Sequence, residues 1–287
     1  MSIYDVFNSG KDTFNREEWA AKKQAQRKAV YEQIEEMCKK MKTDSTKFRQ
    51  YLKVQGRFDR YSVNNAVLVT AQMPEAAVLK DRAAWRENRV YVNQDAQKVL
   101  ILEPGREYIR EDGSRAVGYN TKEVYDISQT SAAGKIPGRE TWKMKELAAA
   151  VTDASPVPFQ TVEELDGPAF YNREEGVILV SRGLSEQELF DSIIRETAVA
   201  IYDLKHKEGR ETCGFGAYCT AFMISSRYGM DTGNFHFDKV PDRYTKMEIP
   251  EFKKELSVMR DVMQEIQTEM YRSLGKSRAD KTRGQER

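Results

Sequence analysis

Few residues in this chain could do chemistry. Two histidines, His206 and His236, and three cysteines, Cys38, Cys213 and Cys219, are all the imidazoles and thiols among 287 residues. Cys213 and Cys219 lie six apart, outside the spacing of about two to four intervening residues that structural zinc sites use. There is no Gly-x-x-x-x-Gly-Lys phosphate cradle, no Gly-x-Ser-x-Gly elbow and no Gly-rich dinucleotide turn. Arg195-Glu196-Thr197-Ala198-Val199 falls inside an apolar helical stretch, and residues four apart share a helix face, so Arg195 and Val199 point the same way with Glu196 beside them. A single carboxylate with neither a Lewis acid nor a partner base is a poor hydrolase.

The other available chemistry is recognition. Arg57, Arg60, Arg86, Arg89 and Lys98 could follow a phosphate backbone, and Tyr61 and Trp85 could stack on bases, each stack worth about 1 to 3 kcal/mol. Asn64 and Asn65 could donate amide hydrogen bonds to phosphate or base edges. Each has a structural alternative: Trp85 as a core anchor, Asn64 as the cap of the helix it begins. Charge supports the binding reading locally. The net charge is +1, yet Arg16 to Arg60 holds thirteen Lys or Arg against seven Asp or Glu, and Lys276 to Arg287 five against two. Such surpluses attract phosphate, and they equally describe solvated helix faces.

The elements that must position these residues follow from periodicity. Val30, Ile34, Met37 and Met41 predict an amphipathic helix over 16–41, and a second is expected from Asn64 to Met73, ending before Pro74. Trp85 is placed in a short helix after Leu79. Val99-Leu100-Ile101-Leu102 reads as a strand ended by Pro104-Gly105, and Tyr108 to Arg110 meets an Asp112-Gly113 turn, with Val124 to Ile127 as a further strand. Ser128 to Gly138 has linker composition. Beyond it come a helix over Trp142 to Val151, a hairpin of Ala169 to Asn172 with Val177 to Val180, and a buried helix opened by Ser185 and Glu188. Two more helices are expected, Phe215 to Tyr228 and Pro250 to Leu274, the last stopped by Gly275.

Length predicts two domains: 1–130, a linker at 131–138, 139–275, and a basic disordered tail at 276–287. The fold class expected is α+β, a helical first part with a small antiparallel sheet and a second part of helices with a β-hairpin. The 32% charged content leaves no run that could span a bilayer. The N-terminus lacks a signal pattern and the cysteines form no disulfide framework, so the expected location is cytoplasmic.

Arg60-Tyr61-Ser62-Val63-Asn64-Asn65, the apolar run after it and Gln72-Met73-Pro74 resemble the opening of the ArdC antirestriction family. In register follow Trp85, Arg89-Val90, the Val99 to Pro104 strand and Val124 to Thr130; of the family's Lys-Gly-x-Lys turn only Lys98 remains. Residues from Gly167 to about Asp238 resemble the zincin-type peptidase part of that family, where an HExxH helix and a later Glu bind zinc. Here Arg195 and Val199 stand at the two histidine positions, Tyr218 at the third ligand, and only Glu196 keeps its identity. The resemblance therefore implies a degenerate zincin-like metallopeptidase fold with no metal, no cofactor and no catalytic residue. Arg195 is expected either to replace the metal's charge beside Glu196 or to point to solvent. The family also implies single-stranded DNA as partner, an origin on a plasmid or conjugative element, and antirestriction by occupancy or mimicry. The alternative is a scaffold whose pseudopeptidase groove near Arg195 and Tyr218 binds a host restriction or conjugation protein.

Overall fold

The computed structural model describes residues 16–110, 112–135 and 141–285, with side chains from 17 to 276. Helix α1 (Arg16–Thr43) turns Val30, Ile34, Met37, Cys38 and Met41 inward at helical spacing. Helix α2 (Ser45–Arg57) starts at Asp44, whose carboxylate accepts the N–H groups of Thr46 at 2.8 Å and Lys47 at 3.2 Å. The periodicity reading above had no element here. Helix α3 (Val63–Gln72) is capped by Ser62 and ends before Pro74.

The first sheet, in order β1-β3-β2, is antiparallel: β1 (Leu79–Lys80), β2 (Val99–Ile109) and β3 (Arg115–Asp126), with α4 (Arg82–Glu87) between the first two. The strand starting at Val99 does not stop at Pro104-Gly105. Pro104 still pairs with Tyr119, its missing N–H falling on the outer edge with the Leu100 and Leu102 amides; the register shifts between Pro104 and Glu107, and pairing resumes to Ile109. Gly113 closes the hairpin with φ of +79°.

Two side chains of α3 finish the exposed edge of β2. Asn65 donates to the Leu102 carbonyl and accepts its N–H, both at 2.8 Å. Gln72, two helical turns on, does the same for Leu100 at 2.9 and 2.8 Å. Seven residues of helix rise about 10.5 Å and two of strand about 6.7 Å, and the longer glutamine stem helps bridge the difference. The strand edge is thereby closed by amides rather than left open to another chain.

In the second half, α5 (Met144–Ala154) precedes a sheet ordered β4-β6-β5, in which β4 (Phe159–Val162) runs parallel to β6 (Val177–Ser181), and β5 (Ala169–Asn172) pairs antiparallel with β6 as expected. Helix α6 (Glu186–Ile201) is capped by Ser185 and unwinds into a π turn over Tyr202–His206, ending at Lys207 in a left-handed conformation with φ of +59°. Helices α7 (Arg210–Arg227), α8 (Asp242–Lys246) and α9 (Ile249–Gln285) complete the chain. Gly275 does not stop α9; the backbone of 276–285 continues the helix where a disordered tail was expected, because one interior glycine costs only about 1 kcal/mol. The side chains of that basic segment from 277 on lie outside the described residues, as do 136–140 of the linker.

The fold is α+β. The expected linker falls between the two sheets in the chain, yet the interior runs continuously from Val30 to Leu274. Arg227 of α7 donates to the terminal carbonyls of α2, Gly56 and Arg57, each at 3.0 Å. A Cβ on Gly56 would lie 2.7 Å from the Met223 carbonyl oxygen, so α2 and α7 touch backbone to backbone. A separate small cluster of Trp85, Tyr125 and Ile127 anchors the first sheet. Among the described residues no helix is long and apolar enough to cross a membrane.

Candidate functional site

From its cap into the π turn, α6 shows one face on which Ser185, Glu188, Ser192, Arg195, Glu196 and Asp203, interrupted by the apolar Val199, follow one another in steps of one, three or four. Two clefts open along it. The first, about 390 Å³, is bounded by Ser185, Glu188, Asp191, Arg195, Tyr218 and Phe235. The second, about 460 Å³, is bounded by Phe170, Arg173, Val199, Asp203 and Arg210.

Glu196 lies between them with its side chain 0% exposed. Its Oε2 accepts the Tyr171 N–H of β5 at 2.8 Å, and Arg210 approaches both oxygens, Nη1 to Oε1 at 3.1 Å and Nη2 to Oε2. Arg195 adds a longer contact, Nε to Oε1 at 3.4 Å. The hydrogen bond to Glu196, ahead of the opposing effect of burial, pushes the Arg210 pKa up and keeps it charged. The Arg210 guanidinium also stands 4.7 Å from the Phe170 ring centroid. Two turns away, Asp203 accepts the Tyr171 hydroxyl at 3.1 Å and faces Arg173 at 3.1 Å.

In the first cleft the Tyr218 hydroxyl accepts the His236 N–H, and its ring lies 5.2 and 5.4 Å from those of Phe235 and Phe237. Burial pushes this phenol up. Asp191 accepts from Ser225 and Gln187, both at 2.8 Å, while burial pushes its carboxyl above the ordinary carboxylate range. Val199 is buried. A guanidinium and a valine offer a metal no lone pair, and both Glu196 oxygens are already engaged, so these residues do not fit a divalent cation. Among the described residues no three His, Cys, Asp or Glu side chains converge.

Arg210 was invisible to motif spacing because it belongs to another helix. One signal existed: a cation at the first residue of a helix opposes the helix dipole, and such local conflicts mark a site that something else stabilises.

No protein-family model matches the chain, and no curated protein does. The fold is similar to that of ArdC. The metal-free crystal structure of the antirestriction protein ArdC from plasmid R388 gives a TM-score of 0.52 at 13% identity, covering 74% of this chain and 86% of that one. The Mn(II)-bound structure of the same protein gives 0.50 at 15%, covering 73% and 85%. At such identity the likeness is one of fold.

The ArdC-like motif of the first half turns out to be largely architectural. Asn65 and Gln72 hold the β2 edge, so Asn65 is not offered to nucleic acid. Arg57 donates to the Pro74 and Ala76 carbonyls, closing the turn after α3 instead of tracking phosphate. Trp85 is 3% exposed and donates its indole N–H to the Tyr125 carbonyl at 2.9 Å, which makes it the core anchor. Tyr61 is half-buried and stacked on Phe58 at 5.0 Å. Asn64 is half-buried, its Oδ1 without a hydrogen-bond partner among the described residues. Arg60, Arg86 and Arg89 are exposed, the last in a left-handed turn with φ of +57°. Lys98 pairs with Glu123 at 2.7 Å and belongs to a groove of about 590 Å³ between α1 and the β2–β3 face, with Trp19, Lys22, Lys23, Gln26 and Ala29. Trp19, 52% exposed, and the two lysines were missed as site residues because helical periodicity had absorbed them into α1.

Proposed function

We propose that this protein binds single-stranded DNA along the groove between α1 and the β2–β3 face, without hydrolytic chemistry, and acts as an antirestriction protein of a mobile genetic element. The observation that carries the reading is the groove itself: a half-exposed indole, Trp19, beside Lys22, Lys23 and Lys98. Stacking on an aromatic combined with a cationic path for the backbone is how sequence-tolerant single-strand sites work. Arg60, Arg86 and Arg89 supply further exposed cations in the same half. Likeness to a plasmid antirestriction protein supports protection of entering DNA as the purpose. The chemistry at 195, 196, 199 and 218 supports a pseudopeptidase, in a degenerate zincin-like second half.

Fluorescence polarisation with a labelled oligonucleotide tests this. Binding should weaken steeply with salt, and Lys22→Glu with Lys23→Glu should lower affinity at least about 10-fold and reduce the salt slope by about 1 per lysine. Absence of salt-sensitive binding at low ionic strength removes the proposal. A second reading, a scaffold for a host restriction or conjugation protein, is favoured by the clefts beside Arg195 and Tyr218 and the 43% exposed Phe170. It predicts a partner whose capture survives nuclease treatment and is lost on Arg195→Glu.

A further inference from the structure

We infer that Arg210 serves as a built-in cation at this site, supplying from α7 the positive charge that a bound metal ion would otherwise hold against Glu196. The inference rests on the reading that the site takes no metal. A carboxylate removed from water must be neutralised or multiply hydrogen-bonded, and Glu196, 0% exposed, gets both from the bidentate Arg210 contact and the Tyr171 N–H. Arg195, the residue in the motif itself, contributes only the 3.4 Å contact and lines the first cleft. Arg210 and Val199 line the second. The fixed cation therefore stands over the Glu196 carboxylate of α6, at the wall of the second cleft. Its cost at the positive end of the α7 dipole is offset by Glu196, and the Phe170 ring holds it from the other side.

One consequence is that restoring ligands alone does not restore a metal site. The full chain carrying Arg195→His, Val199→His and Tyr218→Glu should bind zinc poorly, and adding Arg210→Ala should tighten binding about 100-fold, since a monovalent and a divalent cation within a few ångströms repel strongly. Calorimetric titration with zinc chloride reads this; equal affinity for the two variants overturns the inference. Where those variants do not fold or take up no zinc, a thermal cycle decides. Arg210→Gln should lower Tm in the native background and do so by a third as much or less in a Glu196→Gln background, because the charge it neutralises is then gone. An undiminished drop would mean that Arg210 packs rather than neutralises. The zinc content of the native chain tests the underlying reading separately: near one per chain sinks both.

Discussion

The edge of β2 and the middle of α6 are each held by buried polar side chains, by different physics. At β2 two neutral amides, Asn65 and Gln72, complete a row of backbone hydrogen bonds and carry no charge into the interior. On α6 one carboxylate is enclosed by a backbone N–H from β5, the Arg210 guanidinium from α7 and that of its own chain neighbour Arg195. The first arrangement is local, its amides turned onto the strand edge rather than toward a ligand. The second opens on a cleft at either side, with charge close to solvent. Asn65, Gln72 and Trp85 of the first-half motif are thus architecture, while the surroundings of Glu196 border open clefts.

The contrast is open to direct attack. Asn65→Leu leaves the Leu102 N–H and carbonyl buried without partners and should cost about 3 kcal/mol in urea unfolding. That loss should be unchanged by about 1 M salt, since no charge is involved. Gln72→Leu, at the half-buried end of the same edge, should cost about half as much. Were either loss strongly salt-dependent, the neutral reading of β2 would fail. Trp85→Phe keeps the ring and removes one hydrogen bond, so about 1 kcal/mol should go, with oligonucleotide affinity per folded molecule unchanged; a large affinity loss would return Trp85 to the binding surface.

Next in size is a pH effect at Asp191. Its folded pKa lies above the reference 3.8 because burial disfavours the charge. Its contribution is therefore full below 3.8 and lost as pH rises through the folded value, so the native chain should gain stability relative to Asp191→Asn on acidification through that window. Equal slopes for the two proteins would show that the carboxyl is effectively solvated. The smallest effect concerns the thiols: burial pushes Cys38 and Cys213 up to about 11 and Cys219 well above 9.0. A thiol reagent at pH 8 should therefore modify the native protein only as fast as it opens. Rapid modification of Cys213 would place it in solvent.

Elements with strong apolar periodicity are legible in the sequence, and contacts made only by tertiary packing are not. Helices α1, α6 and α9 were legible because their apolar residues recur at helical spacing, and the β5–β6 hairpin because Arg173 to Gly176 supplies its turn. Helix α2 was missed although Asp44 caps it and Phe48, Tyr51, Leu52 and Gln55 keep the period, since Lys and Arg dilute the pattern. That Val199 and Arg195 offer no metal lone pairs follows from side-chain chemistry and needed no coordinates. That Arg210, fourteen residues beyond Glu196, closes the pair could not be read, because it depends on how the π turn and Lys207 reverse the chain. The amide ladder was likewise hidden: Asn65 and Leu102 are joined only by tertiary packing, and polarity alone made the asparagine look like a ligand contact.

The bare contact of α2 with α7 at Gly56 and Met223 bears on how such a chain can be inherited. Recombination that crosses between residues 131 and 138 would join a first half from one parent to a second half from another, and the hybrid must reproduce a glycine opposite that carbonyl to close. Chimaeras drawn from diverged relatives should survive mainly where both parents share this junction, so the two halves are expected to travel through gene exchange as a pair.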